Sequence, residues 1–341
     1  MLVARMGFEP VRDSRVKEST MFPAAQNFHF CGMLSSISNG GHLMEKIVEC
    51  IPNFSEGQNE SVLKALVDVA SSVPSVSLLD WSADKSHNRS VFTLTGNPDA
   101  VADAAFCMCK TAAELIDMRK HKGEHPRMGA TDVIPFVPIR GMDMAECVVL
   151  SRKLAKRISS ELSIPVFLYE YSTHNPERKN LSNIRRGQFE GMTAKLKEPG
   201  WAPDYGETAP HPSAGVTAVG ARMPLIAFNI NLDTDRLDIA QSIARSVRGS
   251  SGGYEHCKAI GVMLAERGVA QVSINMTNYE QTPLYVIFEA IRIEAARWGV
   301  GILGSEIVGL TPVKALADCA AYYLKLEDFD YNQRVLEQHF D

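Results

Sequence analysis

Segments with strand-like and helix-like periodicity alternate from residue 46 onward, and this alternation constrains the fold more than any other feature of the sequence. From residue 47 to residue 171 the order is β-α-β-β-α-β-α-β, and a similar succession resumes after residue 223. Strands that alternate with helices are typical of sheets covered by helices. We therefore predict an α/β fold of the α+β sandwich type, with two similar subdomains, mixed sheets and helices on one face.

Two stretches lack this periodicity. Residues 1–43 mix Arg, Ser, Gly, Asn and Phe without a regular pattern, which predicts a disordered N-terminal extension, with a targeting arm as the alternative. Residues 172–221 are largely polar and contain several glycines, and we expect a long irregular connector there. The sequence thus predicts an N-terminal subdomain over residues 44–222 and a C-terminal subdomain over residues 223–330, with a ligand cleft between them.

Composition excludes several classes of protein. A net charge of −5 over 341 residues argues against a general nucleic-acid-binding protein, which would carry a basic excess. No uninterrupted apolar stretch reaches the roughly 18–20 residues of a membrane span, and the first residues lack the apolar core of a secretory signal. The seven cysteines are odd in number and irregularly spaced, which favours buried free thiols. We therefore expect a cytoplasmic protein with no nucleic-acid or membrane partner.

The densest group of reactive side chains lies in residues 121–129. His121, Glu124 and His125 have the spacing of an inverted zinc-peptidase motif, which needs a helix to place both imidazoles on one face. A glycine interrupts the motif, and Pro126 disfavours helical geometry at the preceding histidine. We therefore predict a loop and expect no metal site.

Such a loop would serve a different chemistry. His125 has the side chain best suited to proton transfer near neutral pH. Glu124 or a nearby aspartate could orient the imidazole ring, and Arg127 could bind a carboxylate. A surface histidine in a capping turn is the alternative, and the residues alone leave these two interpretations evenly balanced.

Two further polar segments adjoin predicted strands. A polar loop is predicted over residues 81–89, and a strand ends before a helix within residues 51–57, where Asn53 is the candidate ligand-binding residue. The candidates in and beside the first segment are Asp80, Asp84, Asn88 and Arg89. Carboxylate and amide groups there could hydrogen-bond a pterin or an amidine, while the guanidinium could pair with a carboxylate. A solvated hairpin loop and simple helix capping are the respective alternatives.

Several long motifs resemble those of the glutamate formimidoyltransferase family. They are Glu-Cys-Ile-Pro-Asn-Phe-Ser-Glu-Gly at residues 49–57, His-Lys-Gly-Glu-His-Pro-Arg-Met-Gly-Ala-Thr-Asp at 121–132, Trp-Ala-Pro-Asp at 201–204, Gly-Ala-Arg at 220–222 and Ala-Phe-Asn-Ile-Asn-Leu at 227–232. The resemblance extends without large gaps from residue 45 to residue 326. Motifs of this length in this order are highly specific, and they strongly favour a transferase.

The resemblance implies two α/β subdomains, a tetrahydrofolate cleft between them and a homodimer. The catalytic histidine of the family corresponds to His125. The stretch with which the family binds folate corresponds loosely to residues 206–215, bounded by Gly206 and Gly215. Animal members have an acid at the position of Ser82, and Asp84 is the candidate to supply that carboxylate here.

The activity implied by the resemblance is transfer of the formimino group from N-formimino-L-glutamate to N5 of tetrahydrofolate. N5 attacks the formimino carbon, a tetrahedral centre forms, and the glutamate nitrogen leaves. One base that accepts the N5 proton and donates a proton to the leaving nitrogen serves both steps, and an imidazole with a pKa of about 6.5 suits both. Arg89, Arg127 and Arg222 are the candidates to bind the glutamate carboxylates.

Three alternatives are weaker. The same fold acting on N-formylglutamate would differ by one oxygen in place of an NH group, which the sequence does not distinguish. A non-catalytic folate-binding protein is disfavoured because His125, Glu124 and Arg127 are all present. A zinc hydrolase would require the helix that Pro126 disfavours.

Overall fold

A computed structural model describes residues 46–339 of the chain, so the predicted extension over residues 1–43 lies outside the described residues. Two β-sheets are separate in sequence within the described part. The strands of a seven-stranded sheet fall between Ile47 and Ala221, and those of a four-stranded sheet fall between Ile226 and Val308. The interval between the sheets contains the predicted subdomain boundary at residues 222–223.

The first sheet is mixed. Its strands are β1 (Ile47–Cys50), β2 (Asn53–Phe54), β3 (Val76–Asp84), β4 (Arg89–Gly96), β5 (Thr131–Arg140), β6 (Val166–Glu170) and β7 (Thr217–Ala221). The helices of this part are α1 (Glu60–Ser72), α2 (Pro98–Leu115), α3 (Met144–Leu162), α4 (Pro176–Lys179), α5 (Leu181–Arg185) and α6 (Gln188–Lys195). Strands β1 to β5 pair antiparallel, whereas β5, β7 and β6 pair parallel.

The second sheet is antiparallel throughout. Its elements are β8 (Ile226–Leu232), α7 (Leu237–Val247), β9 (Cys257–Leu264), β10 (Val269–Met276), α8 (Leu284–Arg297) and β11 (Ile302–Val308), followed by α9 (Val313–Leu324) and α10 (Tyr331–Arg334). The strand order is β11-β8-β10-β9. The prediction of mixed helices and sheets in two similar subdomains is confirmed.

The two halves share one topology. Strands β5, β1, β4 and β3 of the first sheet are neighbours in that order, and they correspond to β11, β8, β10 and β9 of the second. Each half therefore contains a split β-α-β arrangement, in which a hairpin strand lies between two strands joined by a helix. The first half adds α3, β6 and β7 to this unit.

Helices cover one face of each sheet because both kinds of element have an apolar side. Helix α1 buries Leu66, and β4 buries Phe92 and Leu94 in the same core. Helix α7 buries Ile243 against the second sheet in a separate core. Local sequence sets the helix starts: the side chain of Asn59 caps α1, that of Asn97 caps α2 just before Pro98, and a capping box of Asp143 and Glu146 begins α3.

The opposite face of the first sheet is covered at one end by the connector, which is less irregular than predicted. Residues 172–221 contain α4, α5, α6 and β7, and Ile184 and Met192 pack against Phe167 and Tyr169 of β6. Helices of four to eight residues are too short for their periodicity to be recognised. Asparagine side chains cap α4 and α5, and the buried Lys195 of α6 donates through its ammonium group to the backbone carbonyl groups of residues 183, 184 and 186.

The remainder of that face is polar in both sheets. In the first sheet Glu49 alternates with the buried residues Val48 and Cys50 of β1. In the second sheet the side-chain amide of Gln271 donates to Asn231 and to the carboxylate of Glu306, each at 2.9 Å. The ligand cleft expected between the two subdomains stays a prediction.

The predicted loop over residues 81–89 is wrong in most of its length. Strand β3 continues to Asp84, which pairs with Arg89 of β4, so only residues 85–88 form the turn. Ser82 and Asp84 lie opposite Val91 and Arg89 on the face away from the helices. Polar side chains on that face produced a loop-like pattern in a segment that is a strand.

Among residues 46–339, the structure contains no helix that combines the length and the apolar character needed to cross a membrane.

Gly129 is fixed by close backbone packing, and we predict that Gly129→Ala destabilises the protein. A Cβ atom at this position would lie 2.1 Å from the carbonyl oxygen of Val216 and 2.7 Å from that of Ala214, neither of which is a flexible side chain. We expect a loss of about 1–3 kcal/mol in the free energy of unfolding, measured by urea denaturation.

Gly191→Ala is the matched control. Gly191 lies inside α6, and no heavy atom lies within 4 Å of a Cβ added there. We expect this variant to gain about 0.5–1 kcal/mol, because alanine is the better helix former. Equal stability of the two variants would contradict the packing argument.

Candidate active site

The segment that carries His125 is a loop, as predicted. Residues 121–128 have neither helical nor strand structure between α2 and β5. Gly123 passes so close to the β3–β4 turn that a Cβ atom there would lie 2.3 Å from the carbonyl oxygen of His87. The glycine therefore allows the loop to lie against the turn.

Asn88 joins three segments at this place. Its side-chain oxygen accepts a hydrogen bond from the backbone N–H of Gly57, and its amide donates to the carbonyl of Lys122, both at 2.8 Å. The ring of His121 lies 2.9 Å from the Asn88 carbonyl oxygen. The backbone of Asn88 has a φ of 47°, a left-handed conformation that asparagine tolerates better than most residues. The residue thus positions the His125 loop through buried polar contacts.

Asp132 is the ionic centre of the site. This carboxylate at the start of β5 is fully buried, and Oδ2 accepts from Nη1 of Arg89 at 2.8 Å and from Nε of Arg185 at 3.0 Å. Oδ1 accepts from the backbone N–H of Met128 at 3.1 Å. Nη2 of Arg89 donates to the side-chain oxygen of Asn53 at 2.8 Å. One carboxylate thereby fixes side chains from β4, α5 and the His125 loop.

The network has more positive than negative charge. Burial alone would raise the pKa of Asp132, but the guanidinium groups of Arg185 and Arg89 hold that pKa at about 2. The carboxylate is therefore ionised at neutral pH. Two guanidinium groups face it, so one positive charge remains uncompensated within the network.

The imidazole of His125 lies next to this cationic network. Its Nδ1 atom is buried and has no hydrogen-bond partner among residues 46–339. Burial lowers the pKa of His125, the charges of Arg89 and Arg185 lower it further, and Asp132 opposes them only in part, so the pKa is about 4. The imidazole is therefore neutral at pH 7 and able to accept a proton.

A cavity of about 490 Å³ opens beside this ring. Its lining consists of His125, Pro126, Ser182, Asn183, Arg185, Arg186, Gly187 and Gln188. One wall thus carries a neutral imidazole, and the other carries two guanidinium groups from the end of α5 and the residue after it. This arrangement suits an anionic ligand that loses or gains a proton.

A second histidine lies beside the first. The ring centroids of His87 and His125 are 6.3 Å apart in an edge-to-face arrangement. Nδ1 of His87 lies 3.0 Å from Oδ2 of Asp84, and the backbone N–H of His87 donates to Oδ1 of the same carboxylate at 2.8 Å. The β3–β4 turn therefore presents an oriented imidazole to the His125 loop.

Comparison with known proteins identifies the family. Residues 47–222 match the family model of the formiminotransferase domain, N-terminal subdomain, and residues 227–337 match that of the formiminotransferase domain. The chain belongs to the formiminotransferase family. It is therefore a transferase enzyme, as the sequence motifs predicted.

Relatives within the formiminotransferase family match most of the chain. The glutamate formimidoyltransferase of Streptococcus pyogenes serotype M1 is 62% identical over 296 residues, which cover 87% of this chain and 99% of that protein. The glutamate formimidoyltransferase of Thermoplasma acidophilum is 46% identical over 86% of this chain and 97% of its own length. The formimidoyltransferase-cyclodeaminase of Rattus norvegicus is 44% identical over 83% of this chain and 53% of its own length.

Three of the predicted site residues line the cavity or belong to the Asp132 network. His125 lines the cavity, while Arg89 and Asn53 belong to the Asp132 network. Asn88 positions the His125 loop from behind, and Asp84 contacts His87. Their assignment to catalysis or substrate binding stays a prediction.

Two other residues of the predicted loop point elsewhere. The side chain of Arg127 is buried and donates to both carboxylate oxygens of Glu190, at 2.8 and 2.7 Å, and to Gln188 at 3.0 Å. A substrate carboxylate would have to displace Glu190 to reach this guanidinium. Glu124 is exposed, and its backbone N–H donates to the carbonyl of Ser86 at 3.2 Å.

Arg222 belongs to a second charged group, on the polar face of the first sheet. Burial raises the pKa of Glu170, and the nearby charges of Lys258 and Arg222 lower it. Burial also raises the pKa of Glu49, which Arg222 again opposes. Because Lys258 belongs to β9, the second sheet comes close to the first at this group.

The remaining predicted residues lie around the site and do not line the cavity. Asp80 is exposed on β3, opposite Thr93. Gly206 has a φ of 97° and approaches Ser159 of α3. Gly215 has a φ of 73°, and a Cβ atom there would lie 2.3 Å from the carbonyl oxygen of Met128, so this glycine supports the end of the His125 loop.

Sequence reasoning missed Asp132, Arg185, Arg186 and Asn183 as site residues. The aspartate ends the quoted 121–132 motif and precedes a strand, and that position was its only signal. The two arginines form part of a cationic stretch that resembles a solvated surface, and only the fold brings that stretch to His125. Among residues 46–339 no group of three or more His, Cys, Asp and Glu side chains is arranged to hold a metal ion.

We predict that Asp132→Asn strongly destabilises the protein, because it leaves the buried Arg89 and Arg185 without their counter-charge. Breaking a buried pair in this way costs about 3–5 kcal/mol, measurable as the free energy of unfolding in urea. Asp103→Asn is the control: its ion pair with Arg157 is exposed, so we expect a loss below about 1 kcal/mol.

The pH dependence follows from the lowered pKa of Asp132. A carboxyl group with a pKa of about 2 in the folded protein stabilises it fully above the unfolded pKa of about 3.9. This stabilisation is lost as the pH falls from that value toward 2. The difference in stability between the parent protein and Asp132→Asn should therefore shrink over that range, and a constant difference would contradict the assignment.

Proposed function

We propose that this chain is a glutamate formimidoyltransferase, which moves the formimino group of N-formimino-L-glutamate to N5 of tetrahydrofolate and releases L-glutamate. This proposal rests on one observation above all: a neutral imidazole with a buried, unpaired Nδ1 atom lies in a cavity whose other wall carries two guanidinium groups. The names of the relatives support the same activity. This assigns the protein to histidine degradation and one-carbon metabolism.

The cationic wall is suited to the donor. N-formimino-L-glutamate carries two carboxylates, and guanidinium groups bind carboxylates with two parallel hydrogen bonds. Arg186 lies in the lining with its guanidinium free of a carboxylate partner among residues 46–339, whereas Arg185 donates to Asp132 through Nε and Nη2 and so offers the cavity its Nη1 atom and its charge. We assign the carboxylates to this wall, which places the formimino carbon on the side of His125.

His125 then acts as the base. The N5 atom of tetrahydrofolate attacks the formimino carbon, and His125 accepts the proton that N5 loses. The tetrahedral centre collapses when the glutamate nitrogen accepts a proton and leaves. Orientation of two substrates in one cleft removes much of the entropic barrier of this step.

Substrate binding would raise the pKa of His125. In the free protein, Arg89 and Arg185 help to lower the pKa of His125 to about 4, so the imidazole is a weak base. The two carboxylates of the bound donor offset these charges and raise the pKa of His125. The imidazole therefore becomes a stronger base only when the donor is in place.

We propose supporting roles in catalysis or substrate binding for the other predicted residues. Asp84 and Glu124 are proposed to influence proton transfer from the loops beside His125. Arg127, Arg222 and Arg89, with Asn53, Asp80 and Asn88, are proposed to bind or position the substrates. Residues 206–215, from Gly206 to Gly215, are proposed to contact tetrahydrofolate in the cleft between the subdomains over residues 44–222 and 223–330.

We further propose that the enzyme acts as a homodimer in the cytoplasm. The resemblance to the family supports the dimer, and the charge and composition support the compartment. The proposed partners are the two substrates alone.

We predict that His125→Ala lowers kcat by about 10²–10⁴, because direct proton transfer is lost. A spectrophotometric assay with tetrahydrofolate should follow product formation from N-formiminoglutamate and from N-formylglutamate in parallel. Transfer from the formimino donor that is lost in the variant supports the proposal. His339→Ala, which removes an exposed histidine at the C-terminal end, should leave the activity unchanged.

Two outcomes would change the assignment. Product from the formyl donor alone would make the enzyme a glutamate formyltransferase. No product from either donor, with tetrahydrofolate still bound in equilibrium dialysis, would leave a folate-binding protein.

The acid limbs of the pH profiles should differ. Activity requires neutral His125 and is lost as the pH falls through its pKa. The profile of kcat/KM reports the free enzyme, so we expect its acid limb near the pKa of about 4. The profile of kcat reports the complex, in which the two donor carboxylates raise that pKa, so its acid limb should lie at higher pH. Coincident limbs would show that the donor does not offset the arginine charges.

A further inference from the structure

The proposed reaction as a whole takes up one proton from solvent. N5 of tetrahydrofolate releases one proton, and the leaving glutamate nitrogen needs one to depart as an amine. A free α-amino group is protonated at neutral pH, so the released glutamate takes up a second proton. His125 can return the first proton but is no source of the second, because it is half-buried and its Nδ1 atom is enclosed.

The β3–β4 turn places a second imidazole where this proton would enter. The side chain of His87 is 49% exposed, so its ring meets solvent on one side, and its centroid lies 6.3 Å from that of His125 on the other. This separation is too long for a direct hydrogen bond between the rings and short enough for one bridging water. This spacing would allow the two imidazoles to carry protons in series.

Asp84 fixes the orientation of the outer ring. With Nδ1 of His87 3.0 Å from a carboxylate oxygen, the favoured neutral tautomer carries its proton on Nδ1 and leaves Nε2 as the acceptor. The backbone N–H of His87 donates to the other oxygen of the same carboxylate at 2.8 Å, which holds the carboxylate itself in place.

We propose that His87 is a proton-relay residue, which carries a proton from solvent to His125 and is held in position by Asp84. The step is a transfer of protons only: His87 takes a proton from solvent, passes one through water to His125, and His125 passes it to the glutamate nitrogen. No bond other than those to hydrogen changes in the relay. The inference rests on the proposed function, since it supplies a proton to that reaction.

The charged groups around the two rings determine where a proton rests in the free protein. Asp84 faces His87 on the outer side. Glu124 lies beside the turn because its backbone N–H donates to the carbonyl of Ser86. Lys122 lies there too, because its carbonyl accepts from the side-chain amide of Asn88. On the inner side, Arg89 and Arg185 outnumber Asp132 and disfavour a resident positive charge on His125. Transfer to the inner ring therefore proceeds once the carboxylates of the bound donor offset these two arginines, and the proton then passes to the glutamate nitrogen, which is the stronger base.

The test measures the single-turnover rate with enzyme in excess of N-formiminoglutamate, at saturating tetrahydrofolate, in dilute buffer that contains no imidazole. We expect His87→Ala and His87→Gln to lower the rate by about tenfold, less than the roughly 10²–10⁴ expected when the direct base is removed. Free imidazole, added in increasing concentration, should restore the rate of both variants and leave that of the parent protein unchanged. Asp84→Asn should show a smaller loss, because it disturbs only the orientation of the ring.

The controls separate a relay from a structural role. His339→Ala should keep the rate of the parent protein, and the apparent affinity of the His87 variants for both substrates should not change. A rate within twofold of the parent protein for both His87 variants would overturn the relay while leaving the proposed function intact. A loss that imidazole fails to restore would also overturn it, in favour of a structural role for the turn. A parent protein without transfer activity would overturn the proposed function and the relay together.

Discussion

The site depends on one buried carboxylate with two guanidinium partners. Asp132 accepts from Arg89 on a strand of the hairpin and from Arg185 on a short helix of the connector, and it also fixes the backbone at Met128. A single buried charge would be unstable, whereas this arrangement compensates the carboxylate and leaves excess positive charge beside His125. The same contacts that hold three distant segments together therefore set the electrostatics of His125 and of the cationic cavity.

The repeated topology explains why the site can be built from loops. Each half buries its apolar faces with its own helices, so the polar face of each sheet is not needed for its core. In the first half, the extra connector uses part of that face to hold α5 and α6 in place, which brings Arg185 and Arg186 to the cavity. The second half has no such addition, and its polar face carries an amide and carboxylate network around Gln271.

The sequence was informative where one residue type serves one local role. The cores, the helix caps and the loop at His125 follow from periodicity, from asparagine at helix starts and from Pro126. It failed where a residue acts through a distant partner. Ser82 and Asp84 resembled a loop because a polar sheet face and a loop have similar composition, and Arg185 resembled a solvated cation because nothing in its neighbourhood along the chain indicates Asp132.

The lowered pKa of His125 has a consequence for the proposed mechanism. A base that was strong in the free enzyme would be protonated near neutral pH and would repel the amidinium-like donor group. Burial and the neighbouring arginines keep the ring neutral in the free protein, and in the proposed mechanism the donor carboxylates offset those arginines, so proton acceptance is coupled to occupation of the site. In that mechanism a ligand without the two carboxylates would leave His125 too weak a base to assist the attack of N5, so charge would contribute to specificity together with steric fit.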